Sequence, residues 1–236
     1  MVGRQSATVA APRLPSVAAP RDGEERDFVF RAAAFLCAGS SVWTLLSPMF
    51  GLLSAPRFAV AVYLPMTVAM FLLPLIARKR GLHRFVRLFW WSLLAGVIAT
   101  AVYDIVRLPL WVQKYPFGAI TKMGMLVTGA AGKGFWVEVA GWAYHFTNGC
   151  GFAVMFAMAL PRGKWDLAFV WSLFLEAMMV VTPYSELLGI KRSFSFLWVS
   201  LYAHVLYGLA LGAALWLFRM RIHPHDRLRR GGTRVR

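Results

Sequence analysis

Residues 58–77 form a run of twenty without a single charge. A helix rises about 1.5 Å per residue and needs about 20 residues to cross the hydrocarbon of a bilayer. Such a run has no role on the surface of a soluble domain. Five further apolar blocks accompany it, at 32–53, 88–110, 135–160, 167–183 and 196–218. The expected fold is therefore all-α, a polytopic transmembrane bundle of six spans. Residues 28–219 form the membrane domain, 1–27 a disordered cytoplasmic tail and 220–236 a basic cytoplasmic tail. Ser47-Pro48 kinks or ends the first block and Pro161 stops the fourth, because proline cannot donate to the helical ladder.

Composition agrees. Hydrophobic residues make up 59% of the chain and charged residues only 15%, against about a quarter in a soluble domain. The net charge of +16 does not point to nucleic acid. The basic residues fall in tails and loops between apolar blocks, with no stacking aromatics interleaved. Tryptophans recur near block ends (Trp90, Trp91, Trp111, Trp136, Trp165, Trp198), where an amphipathic ring prefers the membrane interface. Cys37 and Cys150 lie inside apolar blocks without metal-ligand spacing and read as buried, inert thiols. The first residues, rich in Ala, Pro and Arg, lack the apolar core of a secretory signal. The acidic cluster Asp22, Glu24, Glu25 and Asp27 speaks against an organellar transit peptide.

Lys and Arg set the orientation. With the N-terminus inside, the inner segments hold five in the N-tail, five at 78–87, two at 162–164 and seven after the last block, 19 in all. The outer segments hold Arg57, Arg107, Lys114, Lys122, Lys133, Lys191 and Arg192, seven of the chain's 26. Both termini are thus expected in the cytoplasm and the chain in the inner (plasma) membrane. In the long outer loop 111–134, Phe117, Ile120, Met123 and Val127 recur at helical spacing. That spacing fits a short helix on or dipping into the surface. The five glycines of the loop fit a flexible segment equally well.

Polar residues inside spans are costly and mark function or close packing. Positions four apart share a helix face. The fourth block carries Gly141-x3-His145-x3-Gly149-x3-Ala153, and the sixth carries Ser200-x3-His204-x3-Gly208-x3-Gly212. The third has Ser92-x3-Gly96-x3-Thr100-x3-Asp104, and the fifth pairs Ser172 with Glu176. Small residues at this spacing let helices approach closely. Packing seams with hydrogen-bonded histidines are the structural alternative to a site.

Counting residues from the outer boundary puts His145 and His204 roughly 12 to 15 Å deep, with Glu176 at similar or slightly shallower depth and Asp104 shallower still. A polar cavity in the outer half of the bundle is expected, framed by Asp104, Arg107, Glu138, His145, Asn148, Glu176 and His204. Within it, Glu176, Asp104, Arg107 and Asn148 are the candidate catalytic residues. His145 and His204 are candidate cofactor ligands, and His145, His204 and Glu176 form a candidate metal set for haem or a divalent metal. Asp104 and Arg107 are also spaced to form an ion pair at a helix end. Glu186, Lys191 and Arg192 read as solvated loop charges, and His223 and His225 as a weak metal signal.

At Tyr103-Asp104-x2-Arg107, Tyr144-His145-Phe146-x-Asn148-Gly149 and His204-x2-Tyr207-Gly208 the chain resembles a group of uncharacterised bacterial multi-span membrane proteins with His-x3-Gly helices. The resemblance runs from about residue 88 to 218 and implies a membrane helical fold without an activity. The Asp-x3-His helix and terminal His-x3-His of the membrane hydrolases that include alkaline ceramidases are missing. Three readings stay open. One is a metal- or haem-binding membrane enzyme or redox protein acting on a lipid-linked or small-molecule substrate. The others are a proton-coupled transporter and a structural subunit in an oligomer or larger membrane complex.

Overall fold

The computed structural model describes residues 22–105, 107, 118–161 and 164–222. The described residues are helical and contain no strand. Helix α1 (Asp22–Met49) starts ahead of its apolar block, so the acidic cluster belongs to it, and ends one residue after Pro48. The Ser47 hydroxyl then donates to the Leu53 carbonyl and accepts from the Leu53 amide, each at 3.0 Å, which closes the turn into α2. Helix α2 (Ala55–Lys79) contains one π turn, Ala59–Tyr63, just before Pro65. Proline's ring collides with the carbonyl four residues back, and a widened turn relieves that collision. Gly81 ends α2 at φ 75°, in the left-handed region that favours glycine. Its amide bonds the Arg78 carbonyl and that of Leu82 bonds the Ala77 carbonyl, the Schellman arrangement.

Helix α3 spans His83–Ile105. Helix α4 (Ala119–Thr128) realises the helical alternative for the long loop, with Ile120 and Met123 buried; Phe117 lies outside the described residues. Helices α5 (Phe135–Ala159) and α6 (Trp165–Val181) follow. A single turn, α7 (Tyr184–Leu187), leads to the final helix α8 (Phe194–Ile222). His223 and His225 lie outside the described residues.

Among the described residues, four helices are long and apolar enough to cross a membrane: α1, α2, α3 and α8. The other two expected spans differ for physical reasons. Helix α6 has 17 residues, short of the roughly 20 a span needs. Helix α5 is long enough at 25 residues, but Glu138, Tyr144, His145, Thr147 and Asn148 dilute its apolar character. Its neighbours cover it instead: α1, α3 and α4 all pack on α5, while α8 packs on α3 and α6. Helix α2 stands at the periphery and exposes Val60, Leu64, Val68, Leu72 and Leu75. A continuous apolar exterior of this kind is what hydrocarbon solvates.

Glycines set how closely the inner helices approach. A Cβ on Gly124 would fall 1.9 Å from the Val137 carbonyl oxygen, and one on Gly141 would fall 2.2 Å from that of Ile120. Helix α4 therefore lies backbone to backbone against the first half of α5. Lys122 fastens it to the other side by donating to the Gly189 carbonyl at 2.7 Å.

Candidate functional site

The seams read from the sequence meet in two antiparallel helix pairs, and each pair places one carboxylate against one histidine. In the α3/α5 pair, Gly96 faces Cys150 and Ala153, and Thr100 faces Gly149. One turn further, Asp104 faces His145. A Cβ on Gly149 would meet the Thr100 hydroxyl oxygen at 2.1 Å, and one on Gly96 the Cys150 Cα at 2.7 Å. The absent side chains allow a contact close enough for Nε2 of His145 to reach both Asp104 oxygens, at 3.0 and 3.1 Å.

The α6/α8 pair repeats this scheme. Ser172 faces Gly208, whose Cβ would meet that of Ser172 at 2.7 Å, and Glu176 faces His204. The His204 Nδ1 lies 2.9 Å from Glu176 Oε2 and 3.0 Å from the Ser200 carbonyl. A carbonyl only accepts, so neutral His204 carries its proton on Nδ1. Ser200 donates to the same Glu176 oxygen at 2.8 Å, and Ser172 donates to the His204 carbonyl at 2.5 Å. Both halves thus read Ser/Thr-x3-Asp/Glu on one helix against His-x3-Gly on the next.

Tyr103 links the two pairs. Its ring centroid lies 5.8 Å from that of His145 and 5.3 Å from that of His204. Arg107 stacks on the same ring at 4.4 Å and lies 4.0 Å from Asp104 Oδ1. The expected ion pair at the helix end is present, but it is longer than the contact of Asp104 with His145. From α8, Tyr207 donates to the Gly149 carbonyl at 2.6 Å, which ties the two helix pairs together at the glycine below His145.

A cavity of about 350 Å³ opens beside these groups, lined by Thr100, Tyr103, His145, Asn148, His204 and Tyr207. Asp104 and Arg107 line a separate cavity of about 40 Å³, which Tyr103 and His145 also reach. Viewed from the larger cavity, both carboxylates stand behind their histidines. His145 Nδ1 and His204 Nε2 have no hydrogen-bond partner among the described residues. Tyr184, on the turn between α6 and α8, lines both cavities. Burial, reinforced by Tyr103 and opposed by Arg107, pushes its hydroxyl above the usual phenol range, so it stays a neutral donor.

Two expectations need correction. The metal set His145, His204 and Glu176 is not assembled. Glu176 is engaged by His204 and Ser200, and His145 by Asp104. No group of three His, Cys, Asp or Glu side chains among the described residues is placed to hold a metal ion. Glu138 does not frame the cavity: it accepts from Thr121 of α4 at 2.5 Å and lines neither cavity. Asn148 does line the larger one. Tyr103, Ser200 and Tyr207 were missed as site members, although Tyr103 adjoins Asp104 and Tyr207 follows His204 by three positions. The loop charges Glu186 and Arg192 pair at 3.3 Å, and Arg192 also reaches Ser185. No known protein family, curated protein or solved structure matches the chain.

Proposed function

We propose that this chain is an integral membrane enzyme whose two His–carboxylate pairs carry protons to and from a lipid-soluble substrate. In this reading six helices cross the inner (plasma) membrane and both termini are cytoplasmic. The 19-to-7 division of Lys and Arg supports that orientation. The packing of α5 inside the bundle and the exposed apolar face of α6, with Val170, Phe174 and Val181, support their crossing despite their polar residues.

One observation carries the chemical reading. Each imidazole that lines the cavity is held by a carboxylate through one ring nitrogen and keeps the other without a partner. A carboxylate behind an imidazole fixes its tautomer and orientation and stabilises the imidazolium that forms when the far nitrogen takes a proton. A positioned base of this kind contributes about 10²- to 10⁴-fold to a proton-transfer step. His145 and His204 are the bases, Asp104 and Glu176 their positioning partners. Arg107 and Tyr103 stabilise negative charge that develops beside His145. The donor arrangement gives no support to a metal or haem centre.

The test is turnover in a native lipid background. The protein is placed in nanodiscs built from a bacterial lipid extract, and lipid species are followed over time by mass spectrometry. Loss of one lipid-soluble species, absent with His145→Gln and with Asp104→Asn, is the expected result. An unchanged lipid profile with wild-type protein that remains folded overturns the enzymatic reading.

A further inference from the structure

The larger cavity has an entrance and an unfinished lining. Helices α1 and α6 pack on α5 and α8 respectively rather than on each other, which leaves a cleft between them. Leu36 and Trp43 of α1 and Phe174 and Met178 of α6 line this cleft and are also exposed. The cavity therefore reaches the apolar exterior sideways. Three residues of its lining each hold a buried polar atom without a partner among the described residues: Thr100 Oγ1, Asn148 Oδ1 and Trp171 Nε1. Thr100 is 1% exposed. Buried polar atoms are nearly always paired, and each exception asks for a missing partner. Here one donor (Trp171), one acceptor (Asn148) and one group able to do either (Thr100) line the same space as His145 and His204.

We infer that the cleft between α1 and α6 admits a neutral, single-chain lipid whose hydroxyl or carbonyl head is received by Thr100, Asn148 and Trp171. Three observations select this occupant. The lining contains no Lys, Arg, Asp or Glu among the described residues, so a phosphate or carboxylate head would be buried without a counter-charge, which is costly. A volume of about 350 Å³ lies near the bottom of the roughly 300–1,000 Å³ range of small-molecule sites and suits one chain rather than two. Toward the cleft the walls are mostly Leu, Met, Phe and Trp side chains, which match an alkyl or isoprenoid chain. This inference rests on the proposed function for what happens to the head, since it places that head beside the two free imidazole nitrogens.

The experiment uses the full chain in phosphatidylcholine nanodiscs with a photoreactive long-chain alcohol as probe and peptide mapping as readout. Labelling is expected on α1 and α6, in excess of that on the lipid-exposed α2. Hexadecanol should compete it away, and hexadecanoate or added phosphatidylglycerol should not. Thr100→Val keeps the shape that packs on Gly149 and should weaken competition about fivefold to tenfold, the loss of one or two hydrogen bonds. Gly39→Leu, whose new side chain enters the cleft beside Met155, should abolish it. Should Thr100→Val fail to fold, Gly39→Leu decides alone. Labelling spread evenly over the lipid-facing helices overturns the inference, as does equal competition by hexadecanoate. Ring-nitrogen NMR of the two histidines, recorded without probe, keeps the two ideas apart. Labelling that fails while the ring tautomers are as described above leaves the proton-handling reading standing. Specific labelling with unpaired histidines leaves only the binding site.

Discussion

The α3/α5 and α6/α8 pairs use one motif, yet they surround their histidines differently. His204 is bonded by Glu176 and by the Ser200 carbonyl, and Ser200 in turn donates to Glu176. Glu176, Ser200 and the Nδ1 of His204 are thus paired within their own helix pair, and the Glu176 side chain is only 6% exposed. His145 depends on Asp104 alone, whose side chain is 15% exposed and shares its site with Arg107 and a second cavity. The same two residue types thus give a closed, self-satisfied pair in one half and an open pair with a neighbouring cation in the other. Under the proposed function, the closed pair serves mainly the packing of α6 on α8, and the open one is where substrate chemistry concentrates.

Glu176→Ala should show the largest effect on folding. It strips a buried histidine and a buried serine of their shared partner, and breaking such a pair costs about 3–5 kcal/mol. Thermal unfolding in micelles followed by circular dichroism reads this loss. The equivalent Asp104→Ala should cost clearly less, because solvent and Arg107 reach that site. Equal losses would remove the distinction between the two pairs.

Glycine substitutions sharpen the comparison at the seams. Gly149→Val and Gly208→Val each force a side chain into Thr100 or Ser172 and should destabilise by about 1–3 kcal/mol or more. Gly149→Ala combined with Thr100→Ala should recover much of the loss of the single Gly149→Ala variant. A strictly additive double-mutant cycle would mean that the two residues do not meet.

Asp104→Asn preserves shape and should change stability by less than about 1.5 kcal/mol while removing turnover. The smallest effect is expected for Lys122→Met. It loses one exposed bond between α4 and the Gly189 carbonyl and should lower stability by about 1 kcal/mol or less, with turnover intact.

Much of this arrangement was legible beforehand. The fourfold spacing of His145 with Gly149, of His204 with Gly208 and of Asp104 with Thr100 puts each set on one helix face, and those faces do meet. Spacing alone says nothing about which helix stands opposite. Glu176 was grouped with both histidines, but α6 packs on α8, so only His204 is within its reach. Glu138 shares a face with His145, yet the loop helix α4 arrives on that face and Thr121 takes the carboxylate. The cleft lies between α1 and α6, two helices far apart in sequence, and a gap between non-neighbours leaves no periodic signal. The polar residues that made α5 the most informative helix are the same ones that lower its apolarity as a span.

The central claim is that each histidine is held from behind by its own carboxylate and offers its other nitrogen to the cavity. Nitrogen-15 NMR of selectively labelled histidine, assigned with His145→Gln and His204→Gln, reads this directly. Neutral His204 should carry its proton on Nδ1 and neutral His145 on Nε2, and Glu176→Gln should disturb only the former. Two histidines with the same mixed tautomer populations, unmoved by Asp104→Asn or Glu176→Gln, would contradict it.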